Sequence, residues 1–239
     1  MDNRRRKMNK TVNNRIEIIW DGRELDWIDP GRCREYLRGV GLRYLVNKYF
    51  EEGFKKIISS YKPKRKYIVG LIIPCSYGKP YSQSFIHYFI RKAISDFIIK
   101  GYVHEIIVTN AGVIPRELDE YWPYCSYDWN PMYETEEIKE LYIQVLVKRL
   151  KAYIETFKDY YEYFAAYLRW DSDSWRAVEI VSKSLGIKIP NLAPKNIPKE
   201  EIDQVSLGGL YVDPDLVLIT PSSILKLKNE LSKMVNSYL

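Results

Sequence analysis

Residues 67–73 read YIVGLII, and this run constrains the fold of the chain more than any other segment. An uninterrupted apolar run of this length is typical of a strand that is covered on both faces, as strands of parallel sheets are. Residues 84–99 follow with apolar side chains at helical spacing, and Gly101 is placed to end that helix. The strand, loop and helix together predict an α/β domain.

Segments with strand and helix patterns continue to alternate downstream. We predict strands over residues 105–109, 160–168 and 216–220, and helices over residues 134–154 and 173–185 and from a cap at Ser222 onward. Such alternation indicates a mainly parallel sheet with helices on both faces, because right-handed crossovers place the helices there. We therefore predict an α/β fold of the three-layer αβα type over residues 63–239. Residues 186–210 are rich in proline and look like an irregular excursion.

Residues 1–62 form a separate N-terminal part in this prediction. Residues 1–10 are basic and nearly free of apolar side chains, so we expect a disordered arm. The dipeptide Asp21-Gly22 between two short apolar-bearing runs predicts a hairpin over residues 15–28. Apolar residues at helical spacing then predict one amphipathic helix over residues 41–61.

Composition narrows the class of protein. The chain has a formal charge of +6, from 37 basic and 31 acidic residues, which favours a polyanionic partner such as nucleic acid. It has no uncharged apolar run of about 18 residues and no signal-peptide pattern, so we expect no membrane contact and a cytoplasmic location. The abundance of lysine, isoleucine and tyrosine suggests a hyperthermophile. The three cysteines are too few and too scattered for a disulfide framework, so we expect them to be reduced, as in the cytosol. The pattern of cysteines and histidines lacks zinc-ligand spacing. We predict neither a metal nor a cofactor.

The loop after the first apolar strand is dense in reactive side chains. Ligands of open α/β sheets bind beyond the carboxyl ends of the strands, which is where this loop should lie. Cys75 is expected to lie near a helix N-terminus and the Lys79 ammonium group, both of which stabilise a thiolate. Ser84 and His87 share one face of the following helix. Each residue taken alone also fits a structural role, as a buried thiol, a solvated lysine, a helix cap or a surface histidine.

The same loop carries a resemblance to a known family. The pattern P-C-x3-K-P-Y-x2-S-x2-H resembles the signature of archaeosine synthases, with Pro74, Cys75, Lys79, Pro80, Tyr81, Ser84 and His87 at its fixed positions. A second block resembles the family's next strand and loop and includes Gly112, Pro115, Arg116 and Glu117. Tyr127 and Asp128 resemble a third, shorter piece. The similarity covers roughly residues 66–185, and it departs from the family at Asn110 and Ala111, where the loop is one residue shorter, and at residues 129–131.

The resemblance implies an activity, a fold and a partner. It implies addition of an amine, such as free lysine, to the nitrile of 7-cyano-7-deazaguanine in tRNA, which gives an amidine-type linkage. It also implies a fold similar to that of uracil-DNA glycosylases, although the chain lacks the motifs with which those enzymes activate water. Full-length members carry transglycosylase-like and PUA domains, for which this chain has no room. We therefore expect a stand-alone catalytic-type domain whose tRNA binding depends on its own surface or on a separate tRNA-binding or transglycosylase subunit.

Roles for the matched residues follow from the chemistry of a nitrile. The Cys75 thiolate would add to the nitrile, His87 would move the proton, and Lys79 would hold a phosphate or polarise the nitrile nitrogen. Tyr81 or Trp129 would stack on the extruded base. The predicted catalytic residues are Cys75, Lys79, Ser84 and His87. The predicted substrate-binding residues are Pro74, Pro80, Tyr81, Asn110, Gly112, Pro115, Arg116, Glu117, Tyr127, Asp128 and Asp171.

Other functions remain open at this point. Lysine could attack the nitrile directly, without a covalent intermediate on Cys75. The chain could also be a non-catalytic nucleic-acid-binding or scaffold protein derived from this domain. A protein acting on a deazapurine in DNA is the third alternative. Asp171 itself could contact a substrate amine or belong to a helix-capping turn.

Overall fold

The computed structural model describes residues 10–12, 15–19, 37–209 and 213–239 of the chain. The strands in these ranges are β1 (Lys10–Val12), β2 (Arg15–Ile19), β3 (Leu37–Val40), β4 (Tyr67–Pro74), β5 (Val103–Thr109), β6 (Gly112–Pro115), β7 (Tyr127–Asp128) and β8 (Tyr161–Ala166). The helices are α1 (Leu42–Leu45), α2 (Lys48–Ser60), α3 (Phe85–Ile99), α4 (Glu136–Phe157), α5 (Asp173–Leu185), α6 (Lys199–Val205) and α7 (Pro221–Asn236).

The central sheet has the strand order β6-β5-β4-β8. β4 lies in its interior and pairs in parallel with β5 and β8, whereas β6 is antiparallel to β5 and forms an edge. Ile72 of β4 lies opposite Ile106 on one side and Ala166 on the other. Every residue of β4 after Tyr67 is buried, which explains its uninterrupted apolar sequence. The prediction of a mainly parallel sheet is confirmed.

Helices cover both faces of this sheet. On one face α3 contacts β5 and α7, and α7 contacts β4. On the other face α4 contacts β5 and β6, while α2 and α5 pack against α4. The predicted three-layer αβα architecture is therefore confirmed. Because β4, β5 and β8 are parallel, the loops that follow them lie at one edge of the sheet.

Four predictions of local structure were wrong. Residues 186–210, predicted to be irregular, contain the helix α6. The helix predicted over residues 41–61 is two helices, because the Asn47 side chain accepts a hydrogen bond from the Tyr49 N–H and so begins α2. The predicted strand over residues 216–220 is a 3₁₀ helix at Pro214–Ile219, whose buried apolar residues fit either pattern. Thr220 rather than Ser222 caps α7, because its hydroxyl accepts from the Ser223 N–H.

The N-terminal part is described only in pieces. β2 pairs with β1 and with β3, and β3 pairs in parallel with β7. The expected basic arm lies outside the described residues except at its last residue, and the Asp21-Gly22 turn and the second half of the predicted hairpin lie outside them entirely. α2 belongs to this N-terminal part in sequence, but it packs against α4 and β6 of the main domain. The domain boundary near residue 62 stays a prediction.

Cys75 is the free cysteine among the described residues, whereas Cys125 is disulfide-bonded. The expectation that all three cysteines are reduced was therefore wrong. In the part of the chain that the structure describes, no helix combines the length and apolar character needed to cross a membrane.

Candidate functional site

The loop from Pro74 to Ser84, called the site loop below, leaves the carboxyl end of β4 and enters α3. Beside it lies a cavity of about 170 Å³, the Cys75 pocket, which Cys75 and Pro74 line together with Asn110 after β5 and Leu168 after β8. The three loops that follow the parallel strands thus meet at one pocket. Sequence reasoning placed the site at this edge, and that assignment stays a prediction.

The Cys75 pocket carries charges of both signs. Its lining contains the carboxylates Glu134, Asp173 and Asp215 and the cations Lys139 and Arg169. Arg169 donates through Nε to Asp215 at 2.8 Å, and burial raises the pKa of the Asp215 carboxyl against the opposing effect of Arg169. Burial also raises the pKa of Glu134, which accepts a hydrogen bond from the Trp129 indole. A small polar molecule with both charges matches such a lining.

Asp171 lies at the border of this pocket rather than in its lining. Its carboxylate accepts from Arg169 Nη1 at 2.7 Å. The capping role belongs to Ser172, whose hydroxyl accepts from the Trp175 N–H at the start of α5. Asp171 therefore acts on the pocket through Arg169, and a direct contact with substrate stays a prediction.

The environment of Cys75 differs from the one expected. Burial raises the pKa of its thiol to about 12, and the nearby carboxylates Asp215, Asp213 and Glu134 raise it further against the opposing effect of Lys79. The thiol is therefore protonated near neutral pH. Along the chain the next α-helix, α3, begins only at Phe85, after a short 3₁₀ helix at Tyr81–Gln83, and the helix N-terminus that lines the same pocket as Cys75 is that of α5. A thiolate at this position requires a proton acceptor or a change of environment on binding.

Lys79 is enclosed by its own loop. Its ammonium group donates to the Tyr77 carbonyl at 3.3 Å and lies 4.3 Å from the centroid of the Tyr127 ring. Burial lowers the pKa of Lys79, and the neighbouring Cys75 and Asp128 act in the opposite direction. A lysine whose pKa is lowered can exchange a proton more readily than a solvated one. Among the described residues, no carboxylate forms an ion pair with it.

Tyr81 and Tyr127 form the floor of the site loop. Their hydroxyl groups are hydrogen-bonded to each other, and the Tyr81 ring stacks on the His87 ring with 5.6 Å between centroids. Burial raises the pKa of both hydroxyls. Tyr81 is fully buried and Trp129 nearly so, which leaves neither ring free to stack on a base without rearrangement. Pro80, joined to Lys79 by a cis peptide bond, leads into this floor.

His87 is buried beneath the site loop and uses both ring nitrogens. Nε2–H donates to the Pro74 carbonyl at 3.0 Å, and Nδ1 accepts a hydrogen bond from Arg116. Burial, together with the charges of Arg116 and Arg91, lowers the pKa of His87 well below its usual value, so the ring is neutral. Neither nitrogen is available to a substrate. The predicted proton-transfer role has no support in this geometry, and the contacts favour a structural one.

Arg116 connects His87 to two buried carboxylates. It donates through Nη2 to Glu105 at 2.8 Å and through Nη1 to Asp119 at 3.0 Å. Asp119 in turn accepts from the Ser82 N–H at 2.7 Å. We call His87, Glu105, Arg116 and Asp119 the buried latch, because their hydrogen bonds hold the site loop near both ends, at Pro74 and at Ser82.

Sequence reasoning missed Glu105 and Asp119. The available signal was Glu105 itself, a charged residue inside the otherwise apolar strand segment EIIVT, since a buried carboxylate demands a cationic partner. Ser84 completes the anchoring, because its hydroxyl accepts from the His87 N–H at 3.3 Å and caps α3. Ser84 and Arg116 were predicted to act on the substrate, and their observed contacts are all internal.

Glu117 lies in a different cluster from Cys75. Its carboxylate accepts from His104 Nε2 at 2.8 Å and from the Tyr61 hydroxyl at 2.7 Å. Burial alone would raise the pKa of Glu117, but these hydrogen bonds and His104 outweigh it and lower the pKa to about 2. His104 is near the amino end of β5, whereas Cys75 follows the carboxyl end of β4. Gly112 and Pro115 belong to β6, where Gly112 has a φ of 151° at the turn after β5.

Residues 47–196 match the model of a known family, Domain of unknown function (DUF5591). This range contains the whole buried latch and every residue that lines the Cys75 pocket except Asp215. The match covers more than half of the chain. The chain belongs to this family. The matched range includes β4 to β8, the site loop and α5, so most residues of the candidate site lie within it.

Curated relatives share parts of the same sequence. Archaeosine synthase subunit alpha of Thermoplasma acidophilum is 37% identical over 76 residues, which is 31% of this chain and 14% of that protein. The protein of the same name from Thermococcus kodakarensis is 34% identical over 107 residues, 42% of this chain and 18% of that protein. The one from Methanosarcina acetivorans is 39% identical over 59 residues, 24% of this chain and 9% of that protein. The matched segments span less than a fifth of these relatives.

One solved structure is similar in outline. It is the crystal structure of AF0587, a protein of unknown function, with a TM-score of 0.47 and 22% sequence identity. The superposition covers 74% of this chain and 48% of that one.

Proposed function

We propose that this chain is an enzyme of the archaeosine pathway that adds an amine to the nitrile of 7-cyano-7-deazaguanine in tRNA. The observation that carries the proposal is Cys75, a free thiol that lines a pocket of mixed charge where the loops after three parallel strands meet. The similarity to archaeosine synthase subunit alpha supports the substrate class. Together they favour chemistry at this edge of the sheet.

The proposed reaction has two covalent steps. The Cys75 sulfur forms a bond to the nitrile carbon while the thiol proton passes to the nitrile nitrogen, which gives a thioimidate. The neutral amine then attacks the same carbon, the carbon–sulfur bond breaks, and the proton from the amine returns to the sulfur. The product is an amidine, and the enzyme regains its thiol. No oxidant or reductant is consumed.

Lys79 is the group that we assign to proton transfer. The raised pKa of Cys75 and the lowered pKa of Lys79 both keep the proton on the thiol before the reaction, so Lys79 would relay this proton to the nitrile nitrogen as the carbon–sulfur bond forms. His87 is reassigned to positioning, because both of its ring nitrogens are engaged inside the buried latch. Tyr81 and Tyr127 support the site loop from below.

The amine donor would occupy the polar half of the Cys75 pocket. Asp173, Glu134 and Asp215 offer carboxylates to an ammonium group, and Arg169 offers a guanidinium group to a carboxylate. A free amino acid such as lysine carries both charges. Arg169 is already paired with Asp215 and Asp171, so binding would exchange one ion pair for another.

The enzyme would act together with other molecules. Its substrate is tRNA, and the relatives' name, subunit alpha, supports a separate subunit that binds tRNA or performs the transglycosylation. The test incubates the chain with tRNA that carries the nitrile base and with isotope-labelled lysine, in the presence and absence of such a subunit. We expect label in the tRNA, and an amidine mass increment at the modified base.

Cys75→Ser is the decisive variant. We expect its transfer rate to fall by at least about a thousandfold, because the weaker hydroxyl nucleophile would replace the thiol. Ser59→Ala, which removes an exposed hydroxyl on α2 outside the Cys75 pocket, serves as the control. Full activity in Cys75→Ser would mean that lysine attacks the nitrile directly, and absence of transfer under every condition would overturn the proposed function.

A second candidate function is binding without catalysis. The pKa of about 12 at Cys75 favours it, since a protonated thiol is a poor nucleophile. In that case the chain would bind tRNA, or DNA with the same base, and transfer nothing. Parallel assays with both nucleic acids distinguish the two functions and the two substrates.

A further inference from the structure

A second cavity lies against the site loop, apart from the Cys75 pocket. Its volume is about 780 Å³, and its lining combines Ser76, Tyr77 and Gly78 of the site loop with the first turns of α3 on one side and α6 with the Pro214–Ile219 helix on the other. We call it the aromatic groove. Because Ser76 follows Cys75 directly, the two cavities share the wall that the site loop forms.

The walls of the aromatic groove expose aromatic rings. Tyr77 is 74% exposed and Phe85 is 61% exposed, although both line a concave surface. The floor beneath them is buried and aliphatic, with Ile86, Leu216 and Ile219. Exposed aromatic rings above an apolar floor are costly in water, and such patches usually mark a binding site. The planar occupant that stacks on aromatic rings in a groove of this kind is a heteroaromatic ring.

Polar groups stand at the border of the groove. Gln83 and Gln204 carry amides that both donate and accept hydrogen bonds, and Asp213 carries a carboxylate. These groups can meet the edge of a nucleobase, whose donors and acceptors lie in the plane of the ring. A purely aliphatic ligand would leave them unused.

Charge separates the two sides of the groove. On the α3 side the exposed face continues from Phe85 to Tyr88 and Lys92, with the Lys92 ammonium 6.0 Å from the Tyr88 ring centroid. On the opposite side α6 carries the acidic residues Glu200 and Asp203. A polyanionic backbone is therefore attracted to the α3 side and repelled from α6. This asymmetry fits a strand whose base enters the groove and whose phosphates face α3.

We propose that the aromatic groove binds an unpaired base of RNA by stacking on Tyr77 and Phe85, with the adjoining phosphates near Lys92. The role of this base rests on the proposed function: it is a neighbour of the modified nucleotide, held on one face of the site loop while the modified base reaches Cys75 on the other. Tyr77 and Phe85 thus stack on this neighbouring base, which is distinct from the extruded base that Tyr81 or Trp129 was predicted to contact.

The test measures RNA binding and needs no activity. A fluorescently labelled, unstructured RNA of about ten nucleotides is titrated with the full chain, and a fully paired RNA duplex is titrated in parallel. We expect Tyr77→Ala and Phe85→Ala each to weaken single-strand binding by about fivefold or more, because each removes a stacking ring. Lys92→Gln should weaken binding mainly at low salt and reduce its salt dependence.

Met132→Ala is the matched control, since Met132 is an exposed apolar residue outside the groove. Its binding should equal that of the unchanged chain. Equal melting temperatures and equal alkylation rates of Cys75 show that the variants keep the fold and the site. Unchanged affinity in Tyr77→Ala and Phe85→Ala, tighter binding of the duplex, or no RNA binding at all would each overturn the inference. Absence of nitrile chemistry with intact single-strand binding would overturn only the proposed function.

Discussion

The chain's two histidines lie at opposite ends of the central sheet and are held in opposite ways. His87, at the carboxyl end of β4, accepts a hydrogen bond from the cation Arg116. His104, near the amino end of β5, donates to the carboxylate Glu117 and accepts from the Tyr161 hydroxyl at 2.6 Å. Both rings are buried. Their partners, rather than their burial, therefore decide what each histidine does.

The comparison separates the edge at which we propose the function from an edge whose contacts stabilise the fold. At the carboxyl edge the buried latch holds a loop that borders two cavities, and all of its charges are enclosed. At the amino edge His104, Glu117 and Tyr61 form a chain of hydrogen bonds that continues from Tyr161 to the Tyr153 hydroxyl. That cluster contains no residue that lines the Cys75 pocket. Changes at the two edges should therefore have different consequences.

The largest effect on stability is expected from Arg116→Met. The substitution leaves Glu105 and Asp119 as buried carboxylates without their central partner, which costs about 3–5 kcal/mol of unfolding free energy. Urea unfolding followed by circular dichroism measures the loss. Arg91→Met is the matched control, because Arg91 is 38% exposed and bonds only the outer side of Glu105. Equal losses in the two variants would show that the latch is not centred on Arg116.

A smaller effect is expected from Glu117→Gln at the amino edge. Near neutral pH the loss of two hydrogen bonds to a charged acceptor should cost about 1.5–3 kcal/mol. The pKa of Glu117 is lowered from 4.5 to about 2, so its contribution is fully present above the ordinary value and disappears as pH falls through the folded one.

The unchanged chain should therefore lose stability between these two pH values more steeply than Glu117→Gln does. Urea midpoints measured across that range provide the comparison. Glu155→Gln, at an exposed site on α4, should follow the unchanged chain. A Glu117→Gln profile parallel to that of the unchanged chain would contradict the assigned pKa. Near neutral pH, Glu117→Gln and the unchanged chain should have the same transfer activity, since Glu117 does not reach Cys75.

The smallest effect is expected at His87 and concerns reactivity. His87→Leu removes the hydrogen bond to the Pro74 carbonyl, whereas the amide of His87→Gln can still donate one. The rate of Cys75 alkylation by iodoacetamide should change severalfold in His87→Leu, because the residue before Cys75 loses its anchor, and remain closer to the unchanged rate in His87→Gln. If both variants alkylate at the unchanged rate, His87 does not position the thiol. Cys75→Ser identifies the alkylated site.

Much of the architecture could be predicted from the pattern of residues. The buried strand β4, the helix α3 with its Ser84 cap and the parallel sheet all follow from local periodicity, because apolar spacing and capping act over a few residues. The errors arose where one pattern fits two structures. The apolar run before Thr220 fits a strand and a 3₁₀ helix equally well, and Asn47 interrupts a spacing that otherwise fits one helix.

The sequence by itself determined the layers of the fold and the edge of the sheet at which Pro74, Cys75 and Asn110 lie together. Only the tertiary structure decided which side chains face a ligand. Arg116 and His87 were predicted to act on the substrate. In the structure Arg116 pairs with Glu105 and Asp119, and His87 donates a hydrogen bond to the Pro74 carbonyl. Burial of a polar group requires partners that are distant in sequence, so its role depends on contacts that no local pattern contains.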